Sequence, residues 1–110
     1  MKNQTIAVEV LPDGSQIPMN FRRLVEVNGV CVSDMAEWCQ LSRQVIYKYM
    51  NGDVNPLNVS YVNVTNMATF LDETPTVVYN SLCESFESKR IYCETLGKWM
   101  LPEEIVDKVR

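Results

Sequence analysis

Five side chains in one short stretch could do chemistry together: Arg43, Gln44, Tyr47, Lys48 and Asn51. They are two cations, two amides and a phenol. On a helix turning about 100° per residue from Arg43, Tyr47 falls at about 40°, Asn51 at about 80°, Gln44 at about 100° and Lys48 at about 140°. All five share one face. On the same wheel Val45, Tyr49 and Ile46 fall at about 200°, about 240° and about 300°, on the other face. An amide can pair bidentately with adenine, and a cation can hold guanine or a phosphate. No acid stands among them. Such groups can read base edges and backbone in a major groove. Any amphipathic surface helix can also look like this, so the surroundings must decide.

Those surroundings are residues 33–52, SDMAEWCQLSRQVIYKYMNG. The pattern predicts two short helices joined by a tight turn. The first covers 33–39 and buries Met35, Ala36 and Cys39, the spacing of one apolar stripe. The second starts at Ser42, whose hydroxyl can accept from orphan backbone N–H groups. It buries Val45, Ile46 and Tyr49 and ends at Asn51-Gly52, a helix-stop signal. A helix of this size fits a major groove, with its N-terminal residues nearest the bases.

Here the chain resembles the phage repressor and Cro-like helix-turn-helix domains, also called xenobiotic-response-element-like. Met35-Ala36-Glu37 is similar to that family's Leu-Ala-Glu, and Leu41-Ser42-Arg43 to its Val-Ser-Arg. Ile46 matches the buried Ile of the recognition helix. Gly52 followed by Asn55-Pro56 matches the Gly-x-x-x-Pro exit, and Met67-Ala68 with Leu71 matches the Ile-Ala-x-x-Leu of the fourth helix. The likeness covers about residues 20–85. Gln40 replaces the turn glycine, so the turn there is either not left-handed or strained. Met50 replaces a frequent acid, and a few extra residues separate Pro56 from Val64.

The resemblance implies a mainly α fold: a five-helix lambda-repressor-like helix-turn-helix bundle. To it the sequence adds a short N-terminal β-hairpin and a C-terminal extension. The implied function is a sequence-specific double-stranded DNA-binding transcriptional regulator, a repressor of phage or mobile-element type. It would act as a homodimer on a palindromic operator. Arg43, Gln44, Tyr47 and Lys48 would be the readers, with Ser42 and Asn51 at the two ends of the same helix. Arg22 or Arg23 would clamp a phosphate, and Asn55 would meet the backbone from the following loop. Asp53 in that loop would repel it.

Composition bounds the alternatives. A length of 110 residues suits one domain with a modest core, and 46% hydrophobic residues support a folded globule. There is no membrane-length apolar run and no charged-then-apolar leader, so the expected compartment is the cytoplasm, with no membrane partner. Four cysteines, no Cys-x-x-Cys and no histidine give no zinc pattern; no metal or cofactor is expected. The cysteines are expected to be reduced and mostly buried. Net charge is −4. Residues 20–52 hold Arg22, Arg23, Arg43 and Lys48 against Glu26, Asp34 and Glu37, a small positive excess, and the remainder is acidic. An acidic remainder pointing away from DNA would suppress non-specific binding. It also suits an alternative, a protein-interaction module on the same scaffold, such as a phage inhibitor, anti-repressor or antitoxin. An enzyme is not expected: no glycine-rich phosphate loop, carboxylate cluster or base for a cysteine nucleophile can be identified.

The rest of the chain supplies the frame. Residues 5–10 alternate and are β-branched; Leu11-Pro12-Asp13-Gly14 is a turn tetrapeptide, and 15–17 can return. Such a ribbon needs support from elsewhere. Asn20 can cap a helix over 21–28 that buries Phe21, Leu24 and Val25. Trp38 reads as a core or interface filler. A later helix ending near Leu71 carries the stripe Val64, Met67, Ala68 and Leu71. Thr74 and Pro75 open a helix over 75–88 that buries Val78, Leu82 and Phe86, and Lys89-Arg90 closes it. Ile91-Tyr92-Cys93 could be a strand pairing with residues 5–10. After Gly97, Trp99-Met100-Leu101 is an apolar cluster, and Pro102 opens a last helix with Ile105, Val106 and Val109. The expected division is a hairpin arm over 1–19, a helix-turn-helix domain over 20–88, and an extension over 89–110 that is a lid or a dimer contact.

Overall fold

Side-chain caps set where the helices begin. Asn20 accepts from the Arg23 N–H at 2.8 Å and starts α1, Phe21–Val27. Helix α2, Val32–Cys39, follows Cys31 without a side-chain cap. Ser42 accepts from Val45 N–H at 3.2 Å and starts α3, Arg43–Met50. Ser60 does the same for α4, Tyr61–Leu71, and Thr74 for α5, Pro75–Glu87, where Pro75 sits in the first turn. Each such cap contributes about 1 kcal/mol. A 3-10 turn, Pro56–Asn58, lies between α3 and α4, and α6 covers Pro102–Lys108. This computed structural model describes residues 5–108, and the side chains only as far as Ile105. The expected packing of Val106 and Val109 lies outside the described side chains.

The apolar stripes meet in one cluster. Phe21, Leu24 and Val25 from α1 join Met35, Ala36 and Cys39 from α2 and Ile46 and Tyr49 from α3. Helix α4 adds Val64, Met67, Ala68 and Leu71, as the spacing predicts, and α5 adds Val77, Val78 and Leu82. Val45, expected to be buried, is only half-buried; Met50 is buried instead, at 7% exposure. On the helical wheel Met50 falls at about 340°, beside Ile46, so the buried arc of α3 is rotated away from Val45.

Ser85 on α5 seats α1. The buried Phe21 N–H, an orphan donor in the first turn of α1, donates to Ser85 Oγ at 2.7 Å. Leaving that amide without a partner costs about 1–3 kcal/mol.

Among the described residues two hairpins form separate sheets. Strand β1, Val8–Val10, pairs antiparallel with β2, Gln16–Pro18, with Glu9 opposite Ile17. Gly14, at φ 88°, closes the turn by donating to Leu11 O at 2.9 Å. The ribbon leans on the helices: Glu9 pairs with Arg23 of α1 at 2.6 Å, and Asn80 Nδ2 of α5 donates to Thr5 O at 2.7 Å.

The second hairpin corrects the sequence reading. Strand β3, Ile91–Cys93, pairs with β4, Lys98–Met100, and not with residues 5–10. Gly97, at φ 64°, lets its N–H reach Cys93 O at 2.8 Å. A local return through one turn costs less loop entropy than a pairing across most of the chain. The cluster Trp99-Met100-Leu101 is therefore largely strand. Met100 is buried at 1% exposure, and Tyr92 and Trp99 meet edge to face across the hairpin at 5.5 Å. No helix among the described residues is long and apolar enough to cross a membrane.

Candidate nucleic-acid interface

Helix α2 stops at Gln40, which has φ 56° and ψ 42°. Gln40 N–H donates to Glu37 O at 3.2 Å, and Leu41 N–H donates to Ala36 O at 2.9 Å. This pattern satisfies the last carbonyls of α2 and turns the chain into α3. The turn is left-handed without a glycine, which costs a residue bearing Cβ about 1–2 kcal/mol. Gln40→Gly should therefore stabilise the fold by up to about 1 kcal/mol, after the extra chain entropy of glycine is subtracted. Urea unfolding checks this; a loss of stability would contradict the strain.

The seated side of α3 is Ile46, fully buried, with Tyr49 and Met50. Its other side exposes Arg43, Gln44, Tyr47, Lys48 and the C-capping Asn51, with Ser42 at the entrance. The side chains of Arg43, Gln44, Tyr47 and Lys48 make no hydrogen bond or ion pair with the described residues. Tyr47 keeps 46% of its surface exposed. Four solvent-facing groups of the expected types thus project from one rigidly held rod.

The remaining expected residues have structural partners. Ser42 Oγ is occupied as the cap. Arg22 Nη2 donates to Asn51 Oδ1, so these two side chains sit together at the end of the α3 face. Arg23 donates to Glu9 through Nε at 2.8 Å and also lies 3.7 Å from Glu26. The hydrogen bond and charge of Glu9 hold the Arg23 guanidinium above its ordinary pKa. Arg23 thus ties the first hairpin to α1. Asn55 Oδ1 accepts from Leu57 N–H at 3.0 Å and caps the 3-10 turn.

The exit of α3 holds residues whose role the sequence did not disclose. Lys89 Nζ donates to Asn51 O at 3.1 Å and to Asp53 Oδ1 at 2.8 Å. Arg90 Nη1 donates to Gly52 O at 2.6 Å and Phe86 O at 2.9 Å, with its guanidinium 3.9 Å over the Phe86 ring. Both cations were legible only as closing α5. They also clasp the carbonyl end of α3, where positive charge is favourable. Lys89 offsets the charge of Asp53, the acid expected to repel a phosphate.

One further expectation is narrowed and one corrected. Of the two roles expected for Trp38, core filler is ruled out and interface filler is the one compatible with its position: it is 58% exposed, with its ring 6.2 Å from that of Phe70. It lies in the last turn of α2, off the buried stripe of Met35, Ala36 and Cys39. The cysteines are free but not mostly buried: Cys39 is buried, Cys31 is exposed, and Cys83 and Cys93 lie between. Cys31 precedes α2 rather than lying on its apolar stripe. Burial pushes the Cys39 and Cys83 thiols up, away from the reactive thiolate. No group of three or more His, Cys, Asp or Glu among the described residues is placed to hold a metal ion.

Comparison of the chain with protein-family models, with curated proteins and with solved structures finds no match.

Proposed function

We propose that this chain is a sequence-specific double-stranded DNA-binding regulator built on a lambda-repressor-like helix-turn-helix, of the phage or mobile-element repressor type. One observation carries the reading: Arg43, Gln44, Tyr47 and Lys48 project together from one seated helix, with no acid among them and no partner among the described residues. The N-terminal turn of α3 enters the major groove. Gln44 offers its amide to an adenine edge, and Arg43 offers its fork to guanine or a phosphate. Tyr47 covers apolar base surface, and Lys48 holds the backbone. The Arg22–Asn51 pair borders the groove at the other end. Two copies related by a two-fold place two such helices about 34 Å apart, one turn of duplex, so the operator is a palindrome. The cytoplasm is the compartment this activity requires.

Selection of bound sites from a random duplex pool tests the reading. The expected outcome is one enriched, two-fold symmetric sequence. Gln44→Ala should then lose about 1–3 kcal/mol of discrimination at a single position of each half-site. A pool that yields no enriched sequence would sink the proposal.

A second reading is favoured by the net charge of −4, unusual for a nucleic-acid partner. It is a protein-interaction module on the same scaffold, such as an inhibitor, anti-repressor or antitoxin. Such a module would show affinity indifferent to duplex sequence.

A further inference from the structure

The stretch from Val54 to Leu71 contains no Asp, Glu, Lys or Arg, in a chain that is 22% charged. It comprises the end of the loop after α3, the 3-10 turn and the whole of α4. Residues 74–83, most of α5, are uncharged as well; only Asp72 and Glu73 intervene. A solvated helix ordinarily carries charge on its outer face. At its start α4 instead presents Tyr61 and Val62, at 75% and 64% exposure, and Leu57 just before it is 82% exposed. Beside them runs an apolar groove of about 400 Å³, lined by Pro56, Leu57, Tyr61, Val64, Pro75 and Tyr79 among others. Loss of charge with gain of tyrosine and large aliphatics is the composition of an interface core.

We propose that this face of α4, Leu57 to Val62 with the groove beside it, is where a second copy of the chain docks. Charge selects that occupant. Each copy carries −4, so two copies repel wherever their acidic surfaces meet, and a neutral face lets them approach without that cost. A strongly acidic or basic partner finds no counter-charge here. Shape agrees. Leu57 and Tyr61 line the rim of the groove and also protrude from it. Under a two-fold, the ridge of each copy meets the groove of the other, as a self-complementary patch requires. The face is firmly backed, because α4 and α5 pack against each other through Val64, Met67, Val77 and Val78 of the core. This places the two-fold on α4 rather than on residues 89–110. It deepens the dimeric part of the proposed function and rests on that reading only for its consequence; self-association is measured without DNA.

Sedimentation of the wild-type chain, Leu57→Asp and Tyr61→Glu, each without DNA, tests the proposal. Both side chains are exposed in one copy, so circular dichroism should not change, and each variant should melt at the Tm of wild-type protein diluted until it is monomeric. The wild type should dimerise reversibly, and each variant should associate roughly 30-fold or more weakly, the loss expected at an interface hot spot. Dilution of wild-type protein gives a second readout that needs no variant: amide shifts should move at 56–64 and 75–79. A wild type still monomeric at about 1 mM, where even weak pairing shows, overturns the proposal. So does a dimer that survives both substitutions, or dilution shifts confined to 91–101. A dimer that binds no duplex leaves this interface standing and removes the DNA reading; a monomer that selects a duplex does the reverse.

Discussion

Gly52→Ala is expected to cost the fold at least about 3 kcal/mol, combining a left-handed residue with an overpacked contact. Gly52 closes α3 at φ 72°, a conformation that side chains with Cβ rarely adopt. A Cβ there would lie 2.1 Å from Ser85 O and 2.7 Å from Ser85 C, both backbone atoms of α5. Neither partner can yield cheaply. Ser85 also receives the Phe21 N–H, and Arg90 joins Gly52 O to Phe86 O. Small domains have about 5–15 kcal/mol in total, so a loss of this size removes a large share of the stability even where the variant stays folded. Urea unfolding measures the loss. A change under about 1 kcal/mol would mean that α3 and α5 do not approach this closely.

The second large effect concerns binding. Arg43→Ala should weaken binding to the selected duplex by about 1–3 kcal/mol, roughly 5- to 150-fold, while stability stays within about 0.5 kcal/mol. The two halves of that expectation have one cause. The Arg43 side chain is exposed and makes no bond with the described residues, so its removal costs the folded chain nothing. Titrations of the labelled duplex, with thermal unfolding of the same samples, read both. Unchanged affinity would remove Arg43 from the interface. Lost stability would show that its side chain serves the fold instead.

Much of the frame was legible because short-range chemistry dictates it. Asn20, Ser42 and Thr74 each precede an apolar stripe, and each caps the helix it was expected to cap. The stripe from Val64 to Leu71 is buried as its spacing requires, and Leu11 to Gly14 turns the first hairpin. The exposed set on α3 followed from the helical period alone. What escaped depends on distant partners or on local near-ties. Ile91-Tyr92-Cys93 is too short to choose between two possible partners, and the turn at Gly97 decides it. Gln40 could have taken either hand; two backbone bonds to α2 fix it as left-handed. Arg22 meets Asn51, Arg23 meets Glu9, and Lys89 and Arg90 clasp the end of α3, all across chain separations that no local pattern reveals. Val45 is less covered than its position on the wheel suggested and Met50 is buried, because the packing around α3, not its period, sets which edge is covered.

The salt dependence of affinity for the selected duplex tests the central claim most directly. Each phosphate neutralised contributes about −0.9 to the slope of log K against log salt. With Arg22, Arg43 and Lys48 of two copies available, the slope should fall at roughly −3 to −5, and a scrambled duplex should bind far more weakly. A slope shallower than about −1, with equal affinity for both duplexes, would contradict the account.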